Sequence, residues 1–346
     1  MKIGRLGHQA MAWLALSYAA VSVAGCRQRP PLTEPLSSTL YSASFLGSVY
    51  TSPDGGASWE SLTDSDDALK AQFKTLAVLA DGSVLVGTPV SGLLEIDAAG
   101  HCRSASEDLK TSDIRCILPS PGSPDRVYVG TMDRGVLASD DGGHHWVPVN
   151  RGLSCLEVHD LKPSATQGER IICATYAGIF ASRDPAAGWQ RLPTPAADFD
   201  FRCLATEAGS RGLLYAGLGD VPGGDRLLVS HDGGASWTPA AHGLPKAHIL
   251  AVCVNPAVPG AAYAGTTQGV YVSSDAGGHW KPLGSELKRV RVYALRKDAF
   301  ALYAATSEGA FRRLDGARQW QAISAGLPAS GVTDVVVAAA GPRTSP

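Results

Sequence analysis

One short phrase, repeated along the chain, constrains its fold more than any other feature. Residues Ser230–Trp237 read S-H-D-G-G-A-S-W, with Asp232 third. The pattern S-x-D-x-G-x-x-W recurs in full at Ser52–Trp59 around Asp54, Ser139–Trp146 around Asp141, and Ser273–Trp280 around Asp275. Ser182–Trp189 keeps Ser182, Asp184 and Trp189 but has Ala186 in the glycine slot. Arg313–Trp320 keeps Asp315 and Trp320, and Glu95–Cys102 keeps Asp97 alone. The seven copies start 43, 44, 43, 48, 43 and 40 residues apart. Of the seven tryptophans, only Trp13 falls outside a copy.

A fixed period of this length with several short strands per unit is the mark of propeller blades. Within the phrase, Asp and Ser bond nearby backbone N–H groups, and Gly supplies positive φ without steric cost. The Trp buries a large apolar body. The phrase therefore reads as a structural lock between two strands of a blade. Around it each unit follows one grammar. An inner apolar run such as Thr75–Leu79 precedes a short strand such as Val127–Thr131 or Ala262–Thr266. A tight turn then leads to Gly178–Ser182 or Gly269–Ser273, the box, and a last strand. The expected fold is all-β: a seven-bladed β-propeller over residues 39–340. Unit 1 has three strands of its own from Thr39, and Gly331–Ala340 supplies a fourth beside Leu40–Phe45, closing the ring without a long bare edge.

The phrase resembles the Asp-box, or BNR, repeat of sialidases, sortilin-type receptors, two-domain xyloglucanases and photosystem II assembly and stability factors. The resemblance covers residues 40–340 and implies the propeller fold, while these relatives do different things with it. The single seven-bladed assembly-factor branch is the most similar. That branch implies a non-catalytic scaffold presenting a face to a protein or envelope partner.

The N-terminus reads as a targeting segment. Lys2 and Arg5 precede an apolar run from Ala10 to Ala24, shorter than the roughly 20 residues of a membrane span. Val23-Ala24-Gly25-Cys26 resembles a bacterial lipobox, which implies a signal peptide at 1–25 and lipidation of Cys26. Acyl chains there would hold the protein on a membrane, periplasmic or at the cell surface, at ~0.8 kcal/mol per buried CH₂. An ordinary cleaved secretory signal is the alternative. Residues 26–38 read as a Pro-rich tether and 341–346 as a tail. The net charge of −2 points away from nucleic acid. No C-x-x-C or H-x₃-H spacing suggests a metal, no cofactor is expected, and the oligomeric state is open. Cys116, Cys203 and Cys253 are read at equivalent inner-strand positions, and Cys173 in a second strand, all as small buried residues rather than disulfide partners.

Candidate ligand-binding residues lie on the inner strands and the loops feeding them. Lys74, Arg115, His159, Arg202, Arg289 and Arg291 supply cations, and Asp113, Asp160, Asp198, Asp200 and Asp334 supply acids. Such a ring suits an anionic protein patch or a carboxylated sugar, or simply lines a watery channel. Blade 5 carries an insertion, Gly219–Asp225, that accounts for the 48-residue spacing. Two functions follow: the membrane-tethered scaffold, which is preferred, and a glycoside hydrolase of sialidase or glucanase type. Against the second, the Arg-Ile-Pro phrase of sialidases is missing, and the xyloglucanase type draws an acid from each of two propellers. No catalytic residue is assigned.

Overall fold

A computed structural model describes residues 38–63, 72–97, 99–164, 170–195, 199–207, 212–219 and 226–338. The leader, Cys26 and the tether up to residue 37, Asp198, residues 220–225 of the insertion and the tail lie outside the described residues.

Seven four-stranded antiparallel sheets form the blades, as the repeat count requires. The inner strands, from blade 2 to blade 7, are Thr75–Val78, Ile114–Pro119, Val158–Ser164, Phe201–Thr206, Ile249–Val254 and Val292–Lys297. In blade 1 the inner strand is Val332–Val337, paired with Leu40–Ser44, so the last strand completes the first sheet. Leu40 faces Val337, Ser42 faces Val335, and Ala338 N–H donates to Thr39 O at 2.9 Å. Second strands such as Val127–Thr131 and Leu214–Leu218 are buried along their whole length, because blades cover them on both faces. The single helix among the described residues is the 3₁₀ turn Glu107–Leu109.

Each box joins the third strand of its blade to the fourth. In the Ser230 copy the serine hydroxyl donates to Asp232 Oδ1 at 2.8 Å and accepts from Gly234 N–H at 2.8 Å. Asp232 then accepts from Ser236 N–H at 2.8 Å and from its hydroxyl at 2.6 Å. The side-chain and backbone bonds from Ser236, followed by that from Ser230, hold the Asp232 carboxyl at about 2. Asp54, Asp141 and Asp275 are likewise held well below the usual carboxylate range, with Ser58, His145 or His279 as the closing donor. The glycine in the fifth slot has a φ of +89° to +104° in the four full copies (Gly56, Gly143, Gly234, Gly277). Ala186 cannot take that conformation cheaply, and its turn is rearranged: the Ser182 hydroxyl donates to Gly188 O at 2.6 Å instead.

The lock is also broader than a hairpin. Each indole leaves its own blade and packs on the preceding one: Trp237 against Ile172, Ala174 and Leu192, and Trp280 against Tyr215, Val229 and Ala240. All six are 4–7 % exposed. At ~25 cal/mol/Å² over 150–250 Å², each contributes about 4–6 kcal/mol to holding two blades together. Trp59 does this across the ring closure, joining blade 1 to Tyr303 and Ile323 of blade 7.

The structure buries Cys116, Cys173 and Cys203 but corrects the reading at Cys253, which is only half-buried. Cys116, Cys155, Cys173, Cys203 and Cys253 form no disulfide. Cys116 and Cys203 are equivalent, facing Gly130 and Gly217 across the ladder, but Cys253 lies two residues further along its strand, opposite Tyr263. Burial pushes the Cys203 and Cys253 thiols up to about 12, so they pack as small apolar groups.

Candidate functional site: the mouth of the central channel

The inner strands share a device that places side chains in the channel. The first residue of each is apolar and wedged between blades: Ile114, Val158, Phe201, Ile249, Val292 and Val332 are 0–1 % exposed. The ladder then skips one residue, which opposes no partner and turns inward as at a bulge. The skipped residues are Arg115, His159, Arg202, Leu250, Tyr293 and Thr333. In blade 2 the same slot is Lys74, whose N–H donates to Gly87 O at 2.9 Å. All seven line a cavity of about 180 Å³ at the channel. Four consecutive blades therefore contribute cations, and the facing three contribute Leu250, Tyr293 and Thr333. Tyr293 rests edge-on against Phe45, with ring centroids 5.0 Å apart.

Acids hold most of these cations. Asp113 and Asp200 each sit two residues before the arginine they bind, so Arg115 Nη2 meets Asp113 Oδ2 and Arg202 Nε meets Asp200 Oδ2, both at 2.6 Å. His159 Nε2 lies 3.0 Å from the other oxygen of Asp200, an ion-pair contact whose angle falls short of a hydrogen bond. Burial pushes the Asp200 carboxyl up, but His159 and Arg202 outweigh it and hold the group below the usual carboxylate range. A Cβ on Gly219 would fall 2.3 Å from Asp200 Oδ2, so only glycine lets this carboxylate take its place.

Deeper in the channel, Asp160 and Asp334 are structural. Asp160 accepts from Leu204 N–H of the next blade at 2.8 Å and from Lys162 Nζ at 2.6 Å. Asp334 receives Arg296 Nη2 at 3.0 Å and Leu76 N–H at 3.3 Å, tying blade 1 to blades 7 and 2. Their oxygens are committed to the ring.

Of the cations singled out in the sequence, Lys74, Arg115, His159 and Arg202 come together at the channel, while Arg289 and Arg291 do not. Arg289 occupies a left-handed turn at φ 67°, and Arg291 is an exposed residue whose carbonyl accepts from Ser307 N–H at 3.0 Å. Blade 7 presents Tyr293 to the channel instead. Tyr293, Lys162 and Arg296 are lining residues that the sequence reading missed.

No protein-family model matches the chain. Among curated proteins, a xyloglucanase of Hypocrea jecorina (strain QM6a) is 27% identical over 235 residues, 66% of this chain and 27% of that protein. The chain thus spans about a quarter of the length of that relative. Among solved structures, the GH74 xyloglucanase from Xanthomonas campestris matches with a TM-score of 0.65 at 20% identity, over 83% of this chain and 52% of that one. YCF48 from Cyanidioschyzon merolae matches with a TM-score of 0.56 at 14% identity, over 81% and 96%. Both structures share the propeller fold. The preference for a non-catalytic scaffold is corrected here: the curated relative found by sequence is a xyloglucanase. Blade count and number of boxes do not distinguish the two, because both features belong to the ring and not to what it binds.

Proposed function

We propose that this propeller is a glycoside hydrolase acting on a β-linked polysaccharide, with the channel mouth as its glycan site. The observation that carries the reading is the sequence relation to a xyloglucanase, which extends over 235 residues of the repeat region. The geometry agrees with it. Asp200 is 13 % exposed, and its contacts to His159 and Arg202 hold it ionised, the state a base or nucleophile needs. Unlike Asp160 and Asp334, it accepts no bond from a neighbouring blade's backbone among the described residues. Glycoside hydrolysis takes a second carboxyl as proton donor about 5–9.5 Å from the first, and a scan of Asp113 and Glu157 to Asn and Gln would identify it. The leader ending at Cys26 supports placing the enzyme at a bacterial membrane surface, where exported polysaccharides are met.

The test is release of new reducing ends by the purified protein from β-linked polysaccharides, neutral (xyloglucan, mixed-linkage β-glucan) and uronate-bearing (β-1,4-glucuronan). Turnover is expected, with a loss of at least about 100-fold in Asp200→Asn. Retention on the polysaccharide with no new reducing ends from the wild-type protein overturns hydrolysis.

A further inference from the structure

We propose that the cationic arc at the channel mouth recognises a carboxylate on the glycan, so that the substrate is an acidic polysaccharide carrying uronic acid. The inference rests on the glycoside-hydrolase reading and narrows it from β-glycans in general to uronate-bearing ones. Three features of the mouth carry it.

The first is charge. The cavity wall holds Lys74, Arg115, Lys162, Arg202 and Arg296 against Asp160 and Asp334, in a chain whose net charge is −2. Pairing removes most of that excess: Lys162 with Asp160, Arg296 with Asp334, Arg115 with Asp113, and Arg202 with Asp200. Lys74 is left without a carboxylate partner among the described residues, on the blade next to Arg115. Lys74 is thus the net positive charge that this concave wall presents to an incoming anion.

The second is an unusual concentration of unmet hydrogen bonds. Ten buried side-chain polar atoms lack a hydrogen-bond partner among the described residues, and four of them are at this rim: Asp113 Oδ1, Arg115 Nε, His159 Nε2 and Asp200 Oδ1. Buried groups of this kind are costly and call for a reason. His159 Nε2 and Asp200 Oδ1 face each other at 3.0 Å, which leaves Asp113 Oδ1 and Arg115 Nε, beside Lys74, as the polar atoms still to be met.

The third is the opposite wall. Tyr293, packed edge-to-face with Phe45, lines that wall together with Leu250. A sugar presents an apolar C–H face that stacks on such a ring, while an extended acidic peptide has no flat apolar face to match it. The cavity, about 180 Å³, is below the ~300–1,000 Å³ of ordinary small-molecule sites. It accepts one ring at a time, with the carboxylate directed to the cations.

The experiment is calorimetric titration of the full chain with a β-1,4-linked oligoglucuronide, its methyl ester, a neutral xyloglucan oligosaccharide and tetraglutamate, in 20 mM and 200 mM salt. The acid is expected to bind at least about tenfold more tightly than its ester and to weaken with salt. Lys74→Gln should remove about tenfold of that preference and Lys74→Arg should restore it, with the melting midpoint unchanged in both. Equal binding of acid and ester overturns the inference, as does tetraglutamate binding as tightly as the uronate, or a Lys74→Gln variant that keeps the preference. Binding of the neutral oligosaccharide alone sinks the inference but leaves the glycoside-hydrolase reading standing. Failure of every glycan to bind a folded protein sinks both.

Discussion

The indole N–H of Trp237 has no hydrogen-bond acceptor among the described residues, although the ring itself is 7 % exposed. Its counterparts are satisfied. Trp280 donates to Ala240 O at 2.6 Å, Trp189 to Val149 O at 2.7 Å and Trp320 to Leu283 O at 2.7 Å, each reaching the preceding blade. Trp→Phe removes similar ring area at either place, so a comparison of two such variants isolates the N–H. In Trp280→Phe the buried Ala240 carbonyl loses its donor, at a cost of about 1–3 kcal/mol beyond the lost contact area. In Trp237→Phe an unsatisfied buried donor disappears, which offsets part of the lost packing. Denaturant melts should therefore show Trp237→Phe the more stable of the pair by at least about 1 kcal/mol. Equal losses would mean that the indole N–H contributes nothing across the blade interface.

Within a blade, the inner and second strands meet through a slot that tolerates only small side chains. A Cβ added to Gly130 would lie 2.5 Å from both Cys116 Sγ and Val158 Cγ1, and one on Gly217 would lie 2.4 Å from Cys203 Sγ. Each glycine is covered by the cysteine of its own blade and by the wedge residue of the next. Where the inner-strand residue is not cysteine, alanine is accepted, as with Ala174 opposite Asp160 and Ala305 opposite Ala294. Gly130→Val should cost about 1–3 kcal/mol by overpacking, read as a lower denaturation midpoint. Gly130→Ala should cost less, and adding Cys116→Ala, which clears one of the two close contacts, should recover part of the Gly130→Ala loss; no recovery would put the whole clash at Val158. The blade boxes were legible because Ser139, Asp141, Gly143 and Trp146 act on one another within eight residues. The second strands Val127–Thr131 and Ala262–Thr266 were legible for the same local reason. The channel was only half legible. Lys74, Arg115, His159 and Arg202 are spaced 41, 44 and 43 residues apart, close to the box period, and they fell in the ring together. Continuing from Arg202 through the 48-residue unit leads to Leu250 and then Tyr293. The basic run at Lys288–Arg291 drew the eye to charge instead of register. Lys162 and Arg296 were missed because they stand three residues beyond the skipped position, where the alternation of the strand resumes.

Across the whole ring, stability depends on a single seam. The seam is formed when Val332–Val337 pairs with Leu40–Ser44, some 290 residues earlier in the chain, as the bond from Ser42 Oγ to Asp334 O spans 292 positions. Val332 and Val335 are fully buried there, and Asp334 reaches both neighbouring blades through Arg296 and Leu76. Two valines at roughly 1.5–3 kcal/mol each, with the charged hydrogen bonds of Asp334 at roughly 1.5–3 kcal/mol, make the strand worth on the order of 5 kcal/mol or more. A domain has only about 5–15 kcal/mol in total. Ending the chain after Ser330 should therefore remove cooperative thermal unfolding and expose Leu40–Ser44 as an edge ready to pair with another molecule. The same protein ended after Ala338 keeps every bond of the seam and should melt as the full chain does. Supplying residues 331–338 as a peptide should restore a folded monomer to the shorter form. Unchanged melting in the shorter form would show that the six other interblade packings hold the ring without its closing strand.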